Sequence, residues 1–226
     1  MGTIISLLIL FGWGYHLIYI LLYQPVDFLD LWFWIHILVQ TWLFTGLFIT
    51  GHDSMHGTIS RNRTLNNFLG FISTTLYAGL WYPNLKKKHY LHHINVGTGK
   101  DPDYHAENQN FFVWWYHFMK QYLTIWQILI MAAFFNIGLL FFSELQLIVL
   151  WIVPSVLSTF QLFYFGTYLP HRLPHKADME PHKARSQRRN HLWAMLSCYF
   201  FGYHFEHHAS PKTPWWMLYR IKRNMT

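Results

Sequence analysis

Long apolar runs alternate with short polar ones along this chain. A helix that crosses a bilayer needs about 20 mainly apolar residues, because the hydrocarbon core is roughly 30 Å thick and a helix rises about 1.5 Å per residue. Residues 2–23, 28–50, 122–142 and 145–166 reach that length and predict four transmembrane helices. A fifth stretch, 65–82, is shorter, carries Asn66, Asn67 and the run Ser73-Thr74-Thr75, and ends against Pro83. It predicts a helix that lies in the membrane interface, or dips in and returns. The 2–23 segment has no basic n-region and no small-residue cleavage pattern after Tyr23, so it reads as a retained helix rather than a signal peptide.

Composition agrees with this pattern. The chain is 53% hydrophobic and 12% charged, against roughly 25% charged residues in an average soluble domain. No Pro-, Ser- or Gly-rich linker divides residues 1–226, which predicts a single domain. The lone Cys198 excludes an internal disulfide and any cysteine-based zinc module. A net charge of +7 can mark a nucleic-acid binder, but here its distribution argues otherwise. All 17 Lys and Arg residues lie between Arg61 and Lys120 or from Arg172 onward, whereas the short connections at 24–27 and 143–144 carry only acidic residues. By the positive-inside rule the basic regions, and with them the N-terminus, are expected on the cytoplasmic side and the two tight turns outside. The same basic regions would meet anionic lipid headgroups. The fold expected is an all-α integral membrane protein: four transmembrane helices in two hairpins, interfacial or re-entrant helices, and a cytoplasmic cap.

Three histidine groups carry the candidate chemistry: His52 and His56, then His89, His92 and His93, then His204, His207 and His208. Positions i, i+3 and i+4 share one face of a helix, so each group aims imidazoles at a common point. One such pair is common by chance. Three on the same expected side of a membrane, where buried polar groups are costly, predict a metal site. Eight imidazoles are twice what one tetrahedral zinc takes, which favours two metals. His171, at the end of the fourth apolar run, is a ninth candidate, with His175 as its alternative and His105 as a weaker one. Asp53, Asp101, Asp103 and Glu206 stand where they can accept the free N–H of a ligating ring. For Asp101 and Asp103 a plain turn-forming role is equally open, given the surrounding Gly, Pro and Asp residues. His16 and His36 fall inside apolar runs too far from His52 to ligate with it, and His117, His182 and His191 read as solvated or interfacial. Imidazole suits iron, copper, nickel and zinc alike, so the ligands alone leave the metal open. A metal transporter would need ligands along a path through the bilayer rather than at one edge.

Taken together the boxes resemble the membrane fatty-acid desaturase and hydroxylase superfamily. The surrounding words, Gly51-His52-Asp53-Ser54-Met55-His56-Gly57, Asp101-Pro102-Asp103-Tyr104-His105, Leu169-Pro170-His171-Arg172 and Gly202-Tyr203-His204-Phe205-Glu206-His207-His208, are similar to bacterial β-carotene ketolases. The resemblance implies two irons held by the eight box histidines, with His171 as a further ligand and dioxygen as co-substrate. It also implies oxidation of the C4 methylene of a β-ring carotenoid to a ketone, through two hydroxylations and loss of water. A reductant such as ferredoxin would supply electrons, in a bacterial cytoplasmic or photosynthetic membrane. Desaturation of an acyl chain, or carotenoid hydroxylation, is the alternative within the superfamily.

Overall fold

Apolar runs that satisfy their own backbone as helices can bury one face against each other and leave the other bare. The computed structural model describes residues 1–225, and among them it is helical without strands. Helix α1 (Gly2–Tyr23) lies at the periphery, with Leu8, Phe11, Tyr15 and Ile18 exposed. Helix α2 (Leu31–Met55) is central: Phe33, Ile37, Phe44, Leu47 and Ile49 are all buried. A polar lock joins the two, His16 donating from Nδ1 to Gln40 Oε1 at 2.6 Å while its Nε2 lies 3.0 Å from His36 Nδ1. These two histidines therefore have a structural partner set of their own.

Helix α3 (Arg63–Ala78) packs antiparallel along the C-terminal half of α2. Its start is fixed by Asn66, which donates to the Ser54 carbonyl at 2.7 Å, and its end by Tyr77, whose ring lies 5.4 Å from Phe48. The two backbones approach closely because Gly51 and Gly70 face the contact: a Cβ on Gly51 would stand 2.5 Å from Thr74 Cγ2, and one on Gly70 would overlap Ser54. The chain reverses at Gly79, whose φ of +65° is open to glycine at little cost. Helix α4 (Tyr82–Asn95) then returns, bringing His89 level with His52, their rings 4.5 Å apart.

Hydropathy alone misjudged the third apolar run. Of residues 122–142 only Ile125–Gly138 forms a continuous helix, α6, and it follows α5 (Phe111–Tyr122) at a bend of 90°. Two local bonds impose the break: Tyr122 donates its hydroxyl to Asp103, and Thr124 begins a new helix by accepting from the Gln127 N–H at 3.2 Å. The 14 residues of α6 span only about 21 Å at 1.5 Å per residue. Among the described residues three helices are therefore long and apolar enough to cross a membrane by themselves, α1, α2 and α7 (Glu144–His171), and the bent pair, counted as one, would make a fourth.

Helix α7 carries two prolines in its interior, which lack the N–H of the ladder and press on the carbonyl four residues back. The helix answers with wide turns at Ile148–Ile152 and Tyr164–Tyr168, just ahead of Pro154 and Pro170. It starts beside the end of α1, where Gln146 donates to the Leu21 carbonyl at 3.2 Å, and ends on His171. So α2 and α7 run in the same direction, from an end holding Asp27, Asp30 and Glu144 to an end holding His52, His56 and His171. The short helices α8 (His191–Cys198), α9 (His204–Ala209) and α10 (Leu218–Met225) follow α7.

Candidate metal centre

Each histidine group is carried by a helix: α2, α4 or α9. The last turn of α2 is closed by Thr58, which returns its N–H and hydroxyl to the Asp53 carbonyl at 3.2 and 3.0 Å. This aims His52 and His56 at α4. Helix α9 is positioned by two consecutive residues with left-handed backbone, Tyr199 (φ 48°) and Phe200 (φ 60°). Such conformations cost about 1–3 kcal/mol each outside glycine. Packing holds them: the Tyr199 ring stacks on Trp42 at 4.2 Å and meets Trp215 at 5.1 Å.

Nine imidazoles meet in two adjoining clusters, each able to hold a metal ion. The first contains His52, His56, His89 and His207. His93 joins it, its Nε2 lying 3.1 Å from the Nε2 of both His89 and His207, while His56 and His89 approach to 2.8 Å. The second contains His92, His171, His204 and His208, all buried. There His208 Nε2 lies 3.2 Å from His92 Nε2 and 3.0 Å from His204 Nε2. His93 and His208, one from each cluster, have ring centres 4.3 Å apart.

Burial pushes these rings toward the neutral form. It lowers His56 to about 4, with Lys86 adding to the effect, and His93 to about 2, helped by neighbouring imidazoles. His89, His204, His207 and His208 are held well below the usual histidine value, by burial first and by one another second. His92 is the exception: burial acts to lower it, but Asp101 and Asp103 prevail and raise it.

The residues fit a pair of metal ions. Neutral rings with a free nitrogen are what a metal takes, and His52 Nε2 and His171 Nε2 are buried with no hydrogen-bond partner. The Nε2 separations match the roughly 3 Å expected of two nitrogens each about 2.1 Å from one ion and at right angles to it. Two of the far nitrogens are anchored as ligating imidazoles usually are. His171 donates from Nδ1 to the Lys183 carbonyl and His92 from Nδ1 to Asp101, both at 2.9 Å.

Asp101 combines both roles left open in its sequence: besides His92 it accepts from the N–H groups of Gly97 and Asp103, each at 2.9 Å, closing the loop it supports. Asp103 lies 3.8 Å from His92 Nδ1, and burial pushes its carboxyl up to about 6. Asp53 lies 3.4 Å from His52 Nδ1 and accepts from the Trp215 N–H at 3.0 Å, tying the C-terminal segment to α2. Glu206 is buried beside Lys222, 3.4 Å away, rather than on a ring N–H. His105 and His175 stay outside both clusters. His105 pairs with His117, ring centres 4.6 Å apart, and His175 donates from Nε2 to the His171 carbonyl at 2.9 Å.

Beside the clusters lies an apolar cavity that opens to the exterior. His52 and His89 of one cluster and His92 and His204 of the other form one wall, and Phe48, Tyr77, Leu85, Phe118, Leu162 and Phe201 form much of the rest. The wide turn of α7 matters here, because Gly166 admits the Phe201 ring to a place where a Cβ would overlap it. Neither Tyr122 nor Gln127, both of which line the cavity, stands out by histidine spacing. A signal existed for Gln127: it is an amide inside the apolar run Ile125-Trp126-Gln127-Ile128-Leu129, and polar groups in such runs are rare and tend to be functional.

The comparisons with known proteins agree with this geometry. The Beta-carotene 4-ketolase of Protosiphon botryoides is 40% identical over 208 residues, covering 87% of this chain and 53% of its own length. The Zeaxanthin 4-ketolase of Chlamydomonas reinhardtii is 44% identical over 187 residues, 80% of this chain and 42% of its own. A Beta-carotene ketolase of Paracoccus sp. (strain PC1) is 38% identical over 188 residues, 81% and 76%. The chain thus spans about half the length of the two algal relatives and three quarters of the bacterial one. The fatty acid desaturase family model matches residues 27–129 and 118–226, so nearly all of the histidine-bearing helical frame is accounted for, and the chain belongs to the fatty acid desaturase family.

Proposed function

We propose that this chain is a membrane carotenoid 4-ketolase: it converts the C4 methylene of a β-ring to a ketone, giving echinenone- or canthaxanthin-type products. The observation that carries the reading is the cavity, an apolar space with imidazoles of both clusters in its wall. The names of the relatives supply the substrate class.

In this reading His52, His56, His89, His93 and His207 hold one iron, and His92, His171, His204 and His208 the other. Bound there, the irons supply the reductive activation of dioxygen by which a C–H hydrogen is replaced by hydroxyl. The chain's own groups do the rest. Phe48, Leu85, Leu162 and Phe201 hold the ring and exclude water, and Asp101 and the Lys183 carbonyl keep His92 and His171 in the tautomer that leaves Nε2 free. Each hydroxylation uses one dioxygen, two electrons and two protons and releases one water. The geminal diol left after two of them loses water to the ketone. The electrons come from a reductant such as ferredoxin, for which the Lys and Arg residues around the site offer a complementary surface.

The same reading has the chain crossing the membrane four times in two hairpins, with the bent α5–α6 pair as the third crossing, α3 and α4 as a re-entrant pair, and the histidines on the cytoplasmic side. The separation of acidic turns from basic regions supports this orientation. Expression in a host that accumulates β-carotene tests the activity. Pigments in which one oxygen replaces two ring hydrogens are expected, and they should vanish in a His207→Ala variant. Unaltered β-carotene beside folded, iron-loaded protein, or a monohydroxylated end product, refutes it.

A further inference from the structure

The cavity lining holds one buried, unpartnered polar side chain that neither cluster uses. Of the side-chain nitrogens and oxygens lining it, three are buried without a hydrogen-bond partner among the described residues: His52 Nε2, His204 Nδ1 and Gln127 Oε1. Both imidazoles belong to residues of the candidate metal centre. Gln127 does not, being on the first turn of α6, 8% exposed, with Tyr77, Met119 and Leu123 as fellow lining residues.

Its backbone is fixed twice. The N–H donates to Thr124 Oγ1, and the carbonyl oxygen lies against Gly79, where a Cβ would come within 3.2 Å of it. The corner between α5 and α6 therefore holds this residue in the cavity lining. A buried acceptor without a donor is unfavourable, and the surrounding wall is apolar. A bound molecule relieves it only by bringing an O–H or N–H group. An unsubstituted β-ring has none, but a hydroxylated one does.

We propose that Gln127 accepts a hydrogen bond from a hydroxyl on the carotenoid ring in the cavity, and so selects and retains hydroxylated rings for oxidation. The proposal rests on the ketolase reading. Two sources give the same chemistry: a 3-hydroxyl already on the substrate, as in zeaxanthin, or the 4-hydroxyl left by the first oxidation. In either case the O–H donates to Oε1 and no covalent bond changes at Gln127.

The test compares the full-length wild type with Gln127→Met, similar in length but unable to accept, and Gln127→Glu, which keeps an acceptor oxygen. Each is supplied with β-carotene alone and with an equal mixture of β-carotene and zeaxanthin, and the products are separated by mass. Two ratios are read within each sample, so that a general loss of activity or folding cancels. Gln127→Met is expected to raise the ratio of 4-hydroxy to 4-keto product from β-carotene, or to lower oxidation of zeaxanthin relative to β-carotene, by about tenfold, the size of one lost hydrogen bond. The first change alone assigns the 4-hydroxyl and the second alone the 3-hydroxyl, while Gln127→Glu should move either ratio back toward wild type. Ratios unmoved in Gln127→Met overturn the role of Gln127 and leave the ketolase reading standing. A wild type that oxidises neither pigment overturns both.

Discussion

At the scale of single residues the site depends on what holds each imidazole from behind. Asp101 is the clearest case, because one carboxylate anchors His92 and closes the loop that carries it. Replacing such a support usually lowers metal affinity by about 10–100-fold. Asp101→Ala is therefore expected to weaken the second cluster and spare the first, so that iron per chain falls toward half at a buffered free-iron level that just fills both clusters of the wild type; unchanged stoichiometry would show that His92 needs no such anchor. Protonation offers a second check. In the metal-free protein His56, His89, His93, His204, His207 and His208 have pKa values below the unfolded value of about 6.5. As pH falls through 6.5 the unfolded chain binds protons that the folded chain refuses, so stability must drop. The thermal midpoint of the iron-free protein in detergent should fall between pH 7.5 and 5.5, and that of the iron-loaded protein at least as much, because falling pH also weakens metal binding. His92, raised rather than lowered, gains its proton first, so the second cluster should release metal at a higher pH than the first.

Among the helices, what could be read from sequence and what could not divide along physical lines. The spacing of His52 with His56, of His89 with His92 and His93, and of His204 with His207 and His208 is local, and a helix turns it directly into a shared face. The allotment of rings to clusters is not local: His92 faces His171 and His208 while its neighbour His93 faces His89 and His207, a division set by how α4 lies between α2 and α9. Asp53 meets Trp215 across most of the chain, and no pattern in the sequence announces that pair. The break at Tyr122 and Thr124 was hidden because hydropathy sums side chains and ignores capping. The approach of α2 to α3 yields a sharper expectation. A methyl on Gly70 would overlap Ser54 and stand 2.6 Å from the Tyr82 ring, and overpacking of this kind costs roughly 1–3 kcal/mol. Gly70→Ala should lower the melting midpoint and loosen iron binding at His52 and His56, whereas Gly14→Ala, which meets nothing within 4 Å, should do neither.

On the scale of the whole molecule, the arrangement of charge and the arrangement of chemistry point the same way. The end of the bundle with Asp27, Asp30 and Glu144 has no Lys or Arg in its two turns, while the end that carries the clusters has Lys86, Lys87 and Lys88 one turn from His89. If α3 and α4 enter the membrane and return, Arg61, Arg63 and Lys87 share one side. If α3 instead crossed, Lys87 would emerge with the acidic turns. Cysteine labelling separates the two cases with little background, because the native Cys198 is buried. Lys87 and Asp27 are both exposed, so single Lys87→Cys and Asp27→Cys variants suit a membrane-impermeant maleimide applied to intact cells. Only the Asp27→Cys variant should be modified from outside, with Lys87→Cys reacting once the membrane is opened. Modification of Lys87→Cys in intact cells would put His89 outside with it. The clusters would then lie on the face away from any cytoplasmic reductant, and both the topology and the proposed source of electrons would have to be abandoned together.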